Sequence, residues 1–415
     1  MRTQLILITL ALAACKSKPS SPDQQQRGPD APIKVPAEAN TMVSAWRSDL
    51  QLLAKELPKR HINLFHTLSK EDFETSVAQL NAKLPTLSSD QFLVELTRLL
   101  ASIGEGHTTL HRYLWYLQLD IYLFSDGIYI RNAPRESEWV IGKKLTHLEG
   151  VPIDTVIETL SELISTDNKV WRNSAVTNLL IDATILSGLG FGDQWGVITY
   201  TVESEDGKSS DLTVTLAQQV QVAPPTKLPL YRQHNDRYYW SKFEEDSEVL
   251  YIQYNRCAED PDYPFETFSD DVLKMVDSNK VSRIVIDLRH NGGGNSVIMK
   301  PLIDGLVERN QKSPSTIYIA QGRHTYSSAM LNSMEMKRRL HATWIGEDIG
   351  GNPNSYGEVK QLVLPKTGLK VRYSTNYFTT PGMDEDTIKP DIPVELSYPQ
   401  YKEGIDPILQ YVRSH

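Results

Sequence analysis

Apolar residues recur at helical spacing in the first part of the chain beyond residue 41. In the runs MVSAWRSDLQLLAKEL and DQFLVELTRLLASI, residues 42–57 and 90–103, they stand three and four positions apart, as on one face of an amphipathic helix. The polar triplet Ser-Ser-Asp before the second run is typical of a helix start. The pattern predicts a helical region over residues 42–112.

Between residues 117 and 216 the pattern changes to short runs in which apolar and polar residues alternate. DIYLF, GIYIRN, GVITYTVES and DLTVTLA are such runs, and a period of two is typical of strands with one buried face. A single helical stretch, PIDTVIETLSELI, interrupts them. We therefore predict a small, half-open β barrel with one helix over residues 113–220.

From residue 221 to the end, strand-like runs alternate with amphipathic helical runs. The strand-like runs include EVLYIQY, RIVIDLR, STIYIAQ and ATWIGED, and this alternation predicts a parallel sheet with helices on its faces. RIVIDL lacks polar alternation, as expected of a strand that is buried on both faces. Because ligands of such sheets bind at the carboxyl ends of the strands, we expect the chemistry of residues 221–415 to lie there.

The first residues have the pattern of a secretory signal. Arg2 precedes the apolar run LILITLALAA, which is too short to span a bilayer. Leu-Ala-Ala-Cys at positions 12–15 resembles a bacterial lipobox, which predicts removal of residues 1–14 and lipidation of Cys15. Lys16 after the cysteine is typical of export to the outer membrane. Ordinary secretion with cleavage after Ala14 is the alternative.

Residues 15–41 are predicted to be a disordered linker behind the lipid anchor. The stretch from residue 16 to residue 40 holds five prolines and three glutamines but hardly any apolar residue. A segment of this composition cannot bury enough apolar surface to fold. It would act as a tether between the membrane and the folded part.

Composition narrows the classes of partner and cofactor. The net charge of −9 and the short length of the most basic run, KRR at 337–339, argue against binding to nucleic acid. Cys257 is the only cysteine besides Cys15, so an acylated Cys15 leaves no disulfide and no thiolate metal site. His107 and His111 have the spacing of a metal pair, but no carboxylate motif or cysteine joins them. No metal and no organic cofactor is predicted.

The segment DLRHNGGGN, residues 287–295, follows the strand-like run RIVI. Three consecutive glycines allow backbone amides to point into a cleft without side chains in the way. The segment matches neither of the common phosphate-loop motifs. A tight strand-to-helix turn without a ligand is the structural alternative.

The segment GRHTYSSAML, residues 322–331, lies in the same kind of position, between STIYIAQ and the next helical run. A serine there would present its hydroxyl at the edge of the sheet, close to a helix N-terminus. The structural alternative is that Thr325, Ser327 or Ser328 only caps the helix. A nucleophile needs a base, and His107, His290 and His324 are the candidates.

Five blocks of the sequence resemble blocks of a known protein family. IGEGHT, VIDLRHNGGG, TYSSA, IGEDIGGNPNSYGE with LPKTGLKV, and KPDIPVE resemble, in order and spacing, blocks of the carboxyl-terminal processing (tail-specific) serine peptidases, the family that includes the tricorn core protease. The resemblance runs from about Trp46 to the end. It implies an α/β fold with a crotonase/ClpP-like β/α catalytic core, an N-terminal helical region and a PDZ-like β domain. IGKKLTHLEGVPIDTV is similar to the strand–helix part of a PDZ domain.

The resemblance implies roles for the serines and glycines. The family nucleophile occupies the third place of a Thr-Ala-Ser-Ala type block, which corresponds to Ser327 in Thr325-Tyr326-Ser327. The backbone amide of Ser328, with that of Gly292 or Gly293, would then form the oxyanion hole. Loss of one such donor typically costs about 3 kcal/mol of transition-state stabilisation.

The resemblance also implies the base and the acid. One branch of the family uses a lysine, but Asn352 stands at that position, whereas GEGHT supplies His107 for the tricorn-like branch. For the acid, distance from Ser327 favours Glu385, a strict count back from Pro390 favours Asp384, and the adjacent residue 386 is also an aspartate. In the tricorn arrangement the acid can act through another side chain.

These inferences together predict an extracytoplasmic, lipid-anchored serine endopeptidase. It would cleave polypeptides through an acyl-enzyme with Ser327, His107 and Glu385 as the triad. The alternative is a non-catalytic lipoprotein of the same fold that binds peptides or other ligands, since fold constrains activity only loosely.

Overall fold

The computed structural model describes residues 39–111, 116–192, 196–215 and 227–415. The predicted signal peptide 1–14, Cys15 and all but the end of the predicted linker 15–41 lie outside these residues. The predicted boundaries at 112/113 and 220/221 lie outside them as well and stay predictions. None of the helices in the described part of the chain has the length and hydrophobicity needed to cross a bilayer.

The first described region consists of three helices and a short strand. These are α1 (Ala39–Arg60), α2 (Lys70–Lys83), α3 (Ser89–Ala101) and β1 (Thr109–His111). Ser69 caps α2 by accepting a hydrogen bond from the amide of Asp72, and Ser88 and Gln91 form a capping box at the start of α3. The helical periodicity read from the sequence thus corresponds to real helices, with Leu53 and Leu57 among the residues of the buried face.

The middle region contains a sheet with the strand order β2-β3-β4-β6-β7, and a short β5 that pairs with β4. Its elements are β2 (Asp120–Phe124), β3 (Gly127–Asn132), β4 (Lys144–Leu148), β5 (Val151–Pro152), α4 (Ile153–Ser161), α5 (Lys169–Leu179), α6 (Ala183–Gly188), β6 (Ile198–Glu203) and β7 (Ser209–Val214). The expectation of a single helix is wrong, because α5 and α6 accompany α4. Helix α5 does not show a simple apolar stripe because Trp171 and Ser174 face the neighbouring α/β region.

The last region is built on a six-stranded sheet with the order β15-β12-β11-β10-β9-β8, parallel except for β8. Its elements are β8 (Tyr239–Glu244), β9 (Val249–Tyr254), α7 (Phe265–Ser278), β10 (Arg283–Asp287), α8 (Lys300–Lys312), β11 (Thr316–Gln321), α9 (Ser328–Leu340), β12 (Thr343–Gly346), β13 (Ser355–Val363), β14 (Lys370–Phe378), β15 (Ile392–Pro393), α10 (Tyr398–Lys402) and α11 (Pro407–Ser414). Ile284 and Ile286 of β10 pack towards α7–α9, whereas Val285 packs towards α11. Both faces of this strand are therefore buried, as its unbroken apolar run indicates.

The strands β13 and β14 form a long hairpin that leaves the parallel sheet. The hairpin joins β1 in a separate sheet with the order β1-β14-β13, and Leu362 and Val371 pack against the N-terminal helices. It therefore links the helical region to the α/β region. Strands β10 and β11 are paired in parallel and end side by side, at Asp287 and Gln321, so the glycine and serine segments that follow them emerge at one edge of the sheet.

Candidate active site

A cleft of about 720 Å³ lies at this edge of the sheet. Its walls come from the segment around His107, the glycine segment around Gly292, the start of α9 with Ser327 and Ser328, and the base of the β13–β14 hairpin. Four of the residues singled out in the sequence therefore line one cavity, although they come from three distant parts of the chain. Gly293 lies directly next to Ser327, since a Cβ added to Gly293 would be 2.8 Å from the Cβ of Ser327.

Ser327 has a backbone conformation that few residues other than glycine adopt. Its φ and ψ are 51° and −124°, at the residue that precedes the first turn of α9. A conformation of this kind costs roughly 1–3 kcal/mol and is found mostly at functional sites. The side chain does not cap the helix and is partly exposed to the cleft. The geometry thus disfavours the reading of Ser327 as a helix cap.

Ser328 is in a different situation. Its side chain is buried, and its hydroxyl donates a hydrogen bond of 2.7 Å to the carbonyl oxygen of Gly294. This bond fixes the glycine segment against the start of α9. Of the two adjacent serines, Ser327 therefore presents its hydroxyl to the cleft, and Ser328 holds the wall of the cleft together.

The two candidate glycine donors differ in their partners. The amide of Gly293 donates to the side-chain oxygen of Asn291 at 2.9 Å, so it is already occupied. Gly292 lines the cleft, and a Cβ added to it would meet nothing within 4 Å. The geometry therefore favours Gly292 over Gly293 as the partner of the Ser328 amide in an oxyanion hole.

The imidazole of His107 contacts a tyrosine that is in turn held by a carboxylate. The Nδ1 atom of His107 lies 3.3 Å from the hydroxyl oxygen of Tyr326, and this hydroxyl donates to Oδ2 of Asp167 at 2.8 Å. Because the tyrosine proton points to Asp167, its oxygen is free to accept a proton from Nδ1. This arrangement favours the tautomer that carries its hydrogen on Nδ1. The backbone of Tyr356 also forms a hydrogen bond with the imidazole.

A second carboxylate, that of Glu105, organises the segment around His107. The side chain of Glu105 is fully buried, and its oxygens accept hydrogen bonds from the amide of His107 (2.7 Å) and the hydroxyl of Ser374 (3.1 Å). The Nε2 atom of His61 lies 3.3 Å from the same carboxylate. Since Nδ1 of His61 accepts from the amide of Asn63, its Nε2 carries the hydrogen and donates to Glu105.

The pKa values of these groups follow from their surroundings. Burial alone would raise the pKa of Glu105, but the hydrogen bonds from His61 and from the His107 amide hold that pKa below its ordinary value. Burial lowers the pKa of His107; Glu105, whose carboxylate lies 4.0 Å from Nδ1, opposes this shift, and Arg372 adds to it. The imidazole is therefore neutral at pH 7, as a general base must be.

The pKa of Asp167 is raised, whereas that of Glu105 is lowered. Burial raises the pKa of its carboxyl group to about 6, with a smaller contribution from Glu105, while the hydrogen bond from Tyr326 opposes the rise. The carboxyl group is thus ionised at pH 7 and becomes protonated in mildly acidic solution. Once it is protonated, it no longer obliges the tyrosine hydroxyl to point away from His107.

The ring of Tyr326 is held between two other rings. Its centroid lies 4.9 Å from that of His107 and 4.7 Å from that of Trp171, with interplanar angles of 32° and 24°. Gly106 leaves room for it, because a Cβ there would lie 2.0 Å from the tyrosine oxygen and 2.8 Å from Oδ2 of Asp167. The glycine next to His107 is therefore a requirement of this contact.

Asn168 fixes the segment that carries Asp167 and Trp171 to the α/β region. Its side-chain nitrogen donates to the carbonyl oxygens of Asp386 (2.8 Å) and Gly350 (3.1 Å), and its side-chain oxygen caps α5 by accepting from the amide of Trp171 (2.8 Å). The residue is 4% exposed. Its amide group thus satisfies backbone groups on both sides of the contact between the two regions.

We expect the substitution Asn168→Ala to lower the free energy of unfolding by about 2–4 kcal/mol, because it removes a helix cap and leaves buried carbonyl groups without donors. Urea unfolding followed by circular dichroism measures this change. Asn178→Ala is the matched control, since Asn178 lies on the exposed side of the same helix and its replacement should change stability by less than about 0.5 kcal/mol. Equal effects of the two substitutions would contradict this role of Asn168.

The acid inferred from the resemblance does not line the cleft that His107 and Ser327 share. Glu385 is at the surface, its side chain 62% exposed, and its carboxylate pairs with Lys389 at 2.6 Å. Asp384 and Asp386 are exposed as well. Among the described residues, the carboxylates next to the imidazole are Glu105 and, through Tyr326, Asp167. A direct contact of Glu385 with His107 is not required by the resemblance, so the role of Glu385 stays a prediction.

The other histidines considered as bases lie elsewhere. His290 and His324 line a second, smaller cavity, and burial lowers the pKa of both. His111 is exposed on β1. No group of three or more histidine, cysteine, aspartate or glutamate side chains with the geometry of a metal site occurs among the described residues.

Sequence reasoning missed Glu105, Tyr326 and Asp167. The sequence offers a reason to examine two of them. Glu105 belongs to the same block as His107, and Tyr326 stands where the resembling block has an alanine. Asp167 had none, because it lies in an irregular segment 159 residues away from Tyr326.

Comparisons with known proteins support the fold. The sequence matches no family profile and no curated protein. Among solved structures, mature CPAF complexed with lactacystin has a TM-score of 0.64 at 14% identity, over 90% of this chain and 97% of that chain. Mature CPAF gives 0.63 at 14% identity (89% and 96%), and a CPAF mutant gives 0.64 at 15% (89% and 96%). The α/β fold predicted from the sequence is thereby confirmed over nearly the full length of these chains.

Proposed function

We propose that this protein is a serine endopeptidase that acts on polypeptides outside the cytoplasm. The observation that carries the proposal is the pairing, within one cleft, of a strained serine at a helix N-terminus with a histidine whose Nδ1 faces a hydrogen-bond acceptor. Serine nucleophiles need a base with a free Nε2 and a third group that orients it. Tyr326 and Asp167 supply that third function here.

In the proposed reaction the Ser327 oxygen attacks the carbonyl carbon of a peptide bond while His107 accepts its proton at Nε2. The amides of Ser328 and Gly292 stabilise the oxyanion of the tetrahedral intermediate. The imidazolium then donates its proton to the leaving amine, and an acyl-enzyme forms on Ser327. Water, activated by the same histidine, releases the acyl group and restores the serine.

The charge that develops on His107 during this cycle is balanced by two carboxylates. Tyr326 passes the effect of the ionised Asp167 to Nδ1 through two hydrogen bonds. Glu105 lies 4.0 Å from the same atom and stays ionised because its pKa is lowered. Attraction over such distances is strong in a buried site, so both groups favour the imidazolium that the transition state requires.

The walls of the cleft suit an extended polypeptide. Residues 355–359 of the hairpin line the cleft, and among the described strands β13 is an edge strand, paired only with β14. An edge strand can pair with the main chain of a substrate by strand addition, which gives affinity with little sequence selectivity. Apolar side chains such as Met330, Leu331 and Phe378 line the same cleft and would contact substrate side chains.

Hydrolysis of casein by the purified protein, blocked by a fluorophosphonate probe, is the experiment that tests this function. A protein that binds casein without cleaving it and does not react with the probe would instead be the non-catalytic ligand-binding lipoprotein considered above. Because both readouts use the unmodified chain, the outcome does not depend on the folding of a variant.

We further propose that the protein is anchored by a lipid on Cys15 to the bacterial cell envelope, at the outer membrane. The support is the sequence Leu-Ala-Ala-Cys behind a short apolar run, followed by lysine.

We expect Cys15→Ala to release the protein from the membrane fraction, since no acyl chain can then be attached. Fractionation of cells, followed by detection of the protein in membrane and soluble fractions, measures this effect. Cys257→Ala is the matched control, because Cys257 is buried in the folded part and should leave the distribution unchanged. Retention of the Cys15→Ala protein in the membrane fraction would contradict the anchor.

A further inference from the structure

The β13–β14 hairpin is a basic element in an acidic chain. Residues 355–378 hold four basic residues and one acidic residue, whereas the whole chain has a net charge of −9. These five residues are Lys360, Lys366, Lys370, Arg372 and Glu358. All of them are exposed, and within the described part of the chain no ion pair joins any of them to another residue. The excess positive charge of the hairpin is therefore free to interact with a ligand.

Two of the basic residues lie on the face of the hairpin that forms the wall of the cleft. Successive residues of a strand point to opposite faces. Val371 packs against the N-terminal helices, so its neighbours Lys370 and Arg372 point to the other face. Arg372 lines the cleft together with Val359. Lys370 continues the same row, two positions further along β14, which corresponds to about 7 Å.

Arg372 is the one of these two residues that lies closer to the proposed catalytic histidine. It pairs with Thr109 of β1, which stands two positions after His107 and also lines the cleft. Burial lowers the pKa of His107, and the charge of Arg372 adds to this effect. Lys370 pairs with the next residues of β1, further from the histidine. Along the cleft wall, Arg372 therefore comes first and Lys370 second.

The single carboxylate of the hairpin stands apart from these two basic residues. Glu358 lies at an irregular point of the register, between the pairs formed by Gly357 and Val359, and its φ is 55°. Three positions of β13 separate it from Gln361, the residue paired with Arg372. This separation corresponds to about 10 Å, over which salt at about 0.1 M screens most of the attraction between exposed charges. The positive and negative charges of the cleft wall are thus separate.

We propose that Arg372 and Lys370 bind acidic side chains of the substrate, so that the cleft selects polypeptides with aspartate or glutamate at alternate positions on one side of the cleaved bond. An extended chain carries the side chains of one face about 7 Å apart, which matches the spacing of the two basic residues. Arginine can bind a carboxylate through two hydrogen bonds. A free carboxyl terminus supplies one such charge and would occupy only one of the two residues.

This inference rests on the function proposed above, because it concerns the polypeptides that enter the same cleft. Its test measures binding, so that its outcome can be told apart from that of the proposed function. The full chain with Ser327→Ala holds a peptide without cleaving it. Two labelled peptides are compared by fluorescence anisotropy, one with glutamate at every second position of one half and one with glutamine at the same positions.

We expect the glutamate peptide to bind about tenfold more tightly than the glutamine peptide at low salt, as two partly exposed ion pairs allow. The ratio should fall below about threefold in about 0.5 M salt. Adding Arg372→Gln should remove most of the preference. Lys360→Gln is the matched control, because Lys360 is exposed on the same hairpin but is paired with Tyr373, on the opposite face, and it should keep the preference.

Amidation of the peptide carboxyl termini identifies the source of the carboxylate, and the preference should survive it. The inference is overturned if the two peptides bind equally, if Arg372→Gln and Lys360→Gln behave alike, or if amidation abolishes the preference. Cleavage of both peptides by the unmodified protein without any preference in binding would remove this inference and leave the peptidase standing. Preferential binding of the glutamate peptide without cleavage would do the reverse.

Discussion

The substitution Ser327→Ala is expected to lower casein hydrolysis by at least about 10³-fold and to remove labelling by a fluorophosphonate probe. Both effects follow from loss of the hydroxyl that attacks the substrate, and removal of a catalytic serine leaves only the small rate supplied by binding and the oxyanion hole. Alanine tolerates the strained backbone at this position no worse than serine does. The folded state should therefore persist, which circular dichroism and the Tm can verify.

Ser328→Ala is the matched control for this prediction. It removes the hydrogen bond to the carbonyl oxygen of Gly294, which is worth about 1 kcal/mol, but keeps the backbone amide that the oxyanion hole needs. Labelling should remain, and the rate should fall by less than about tenfold. The reverse pattern, with label lost from Ser328→Ala and kept by Ser327→Ala, would transfer the nucleophile to the second serine.

The parts of the fold that the sequence predicts well are those in which local pattern and tertiary burial agree. The middle of β10, residues 284–286, is apolar without alternation because both faces of this strand are covered. Helix α5 is not predicted because Trp171 and Ser174 face another region. Its buried residues therefore do not form one apolar stripe in the sequence. The β13–β14 hairpin is not predicted either. Strand β13 has four consecutive exposed residues in its middle, so it lacks the alternation by which a strand is recognised.

The residues of the candidate site also differ in whether the sequence indicates them. His107 and Ser327 stand in short blocks whose order along the chain carries a resemblance, so the sequence indicates them without any coordinates. The contact between Asp167 and Tyr326 depends on how Asn168 docks α5 against the α/β region. No local pattern encodes a docking of this kind. Counting along the chain therefore places the acid in a loop near Pro390, whereas the carboxylates near the imidazole come from two other segments.

Hydrogen-bond partners explain why the pKa values of Asp167 and Glu105 shift in opposite directions, although burial would raise both. Glu105 receives hydrogen bonds from three neighbours, which outweigh the cost of burying its charge. Asp167 has fewer partners, so burial dominates and raises its pKa to about 6. The carboxylate of Glu105 therefore keeps its charge more readily than usual, whereas that of Asp167 can lose its charge in mildly acidic solution.

The substitution Tyr326→Phe is expected to lower kcat by about 10²–10⁴-fold, the range associated with loss of an oriented general base. Phenylalanine keeps the ring between His107 and Trp171 but removes the oxygen that accepts from Nδ1. The KM should change little, because the tyrosine oxygen contacts the histidine and the aspartate. Glu385→Gln is the control, and its kcat should equal that of the unmodified protein, since its side chain is exposed and pairs with Lys389.

The pH profile separates a positioning role of Asp167 from a merely structural one. Because the pKa of Asp167 is raised to about 6, kcat/KM of the unmodified protein should fall as the pH drops below about 6, when the carboxylate that orients Tyr326 becomes protonated. Asp167→Asn should lower kcat at pH 8 and remove the part of this decline that follows protonation of residue 167.

The same substitution, Asp167→Asn, is expected to change stability in the opposite direction from activity. The folded state holds the Asp167 proton more tightly than the unfolded chain, whose ordinary value is 3.8, so this group's contribution to stability is lost as the pH rises from about 4 to 6. At pH 8 the neutral asparagine avoids a penalty of up to about 3 kcal/mol. We therefore expect Asp167→Asn to be less active but at least as stable as the unmodified protein at that pH. An unchanged pH profile, or a loss of activity that follows a loss of stability, would remove Asp167 from the mechanism.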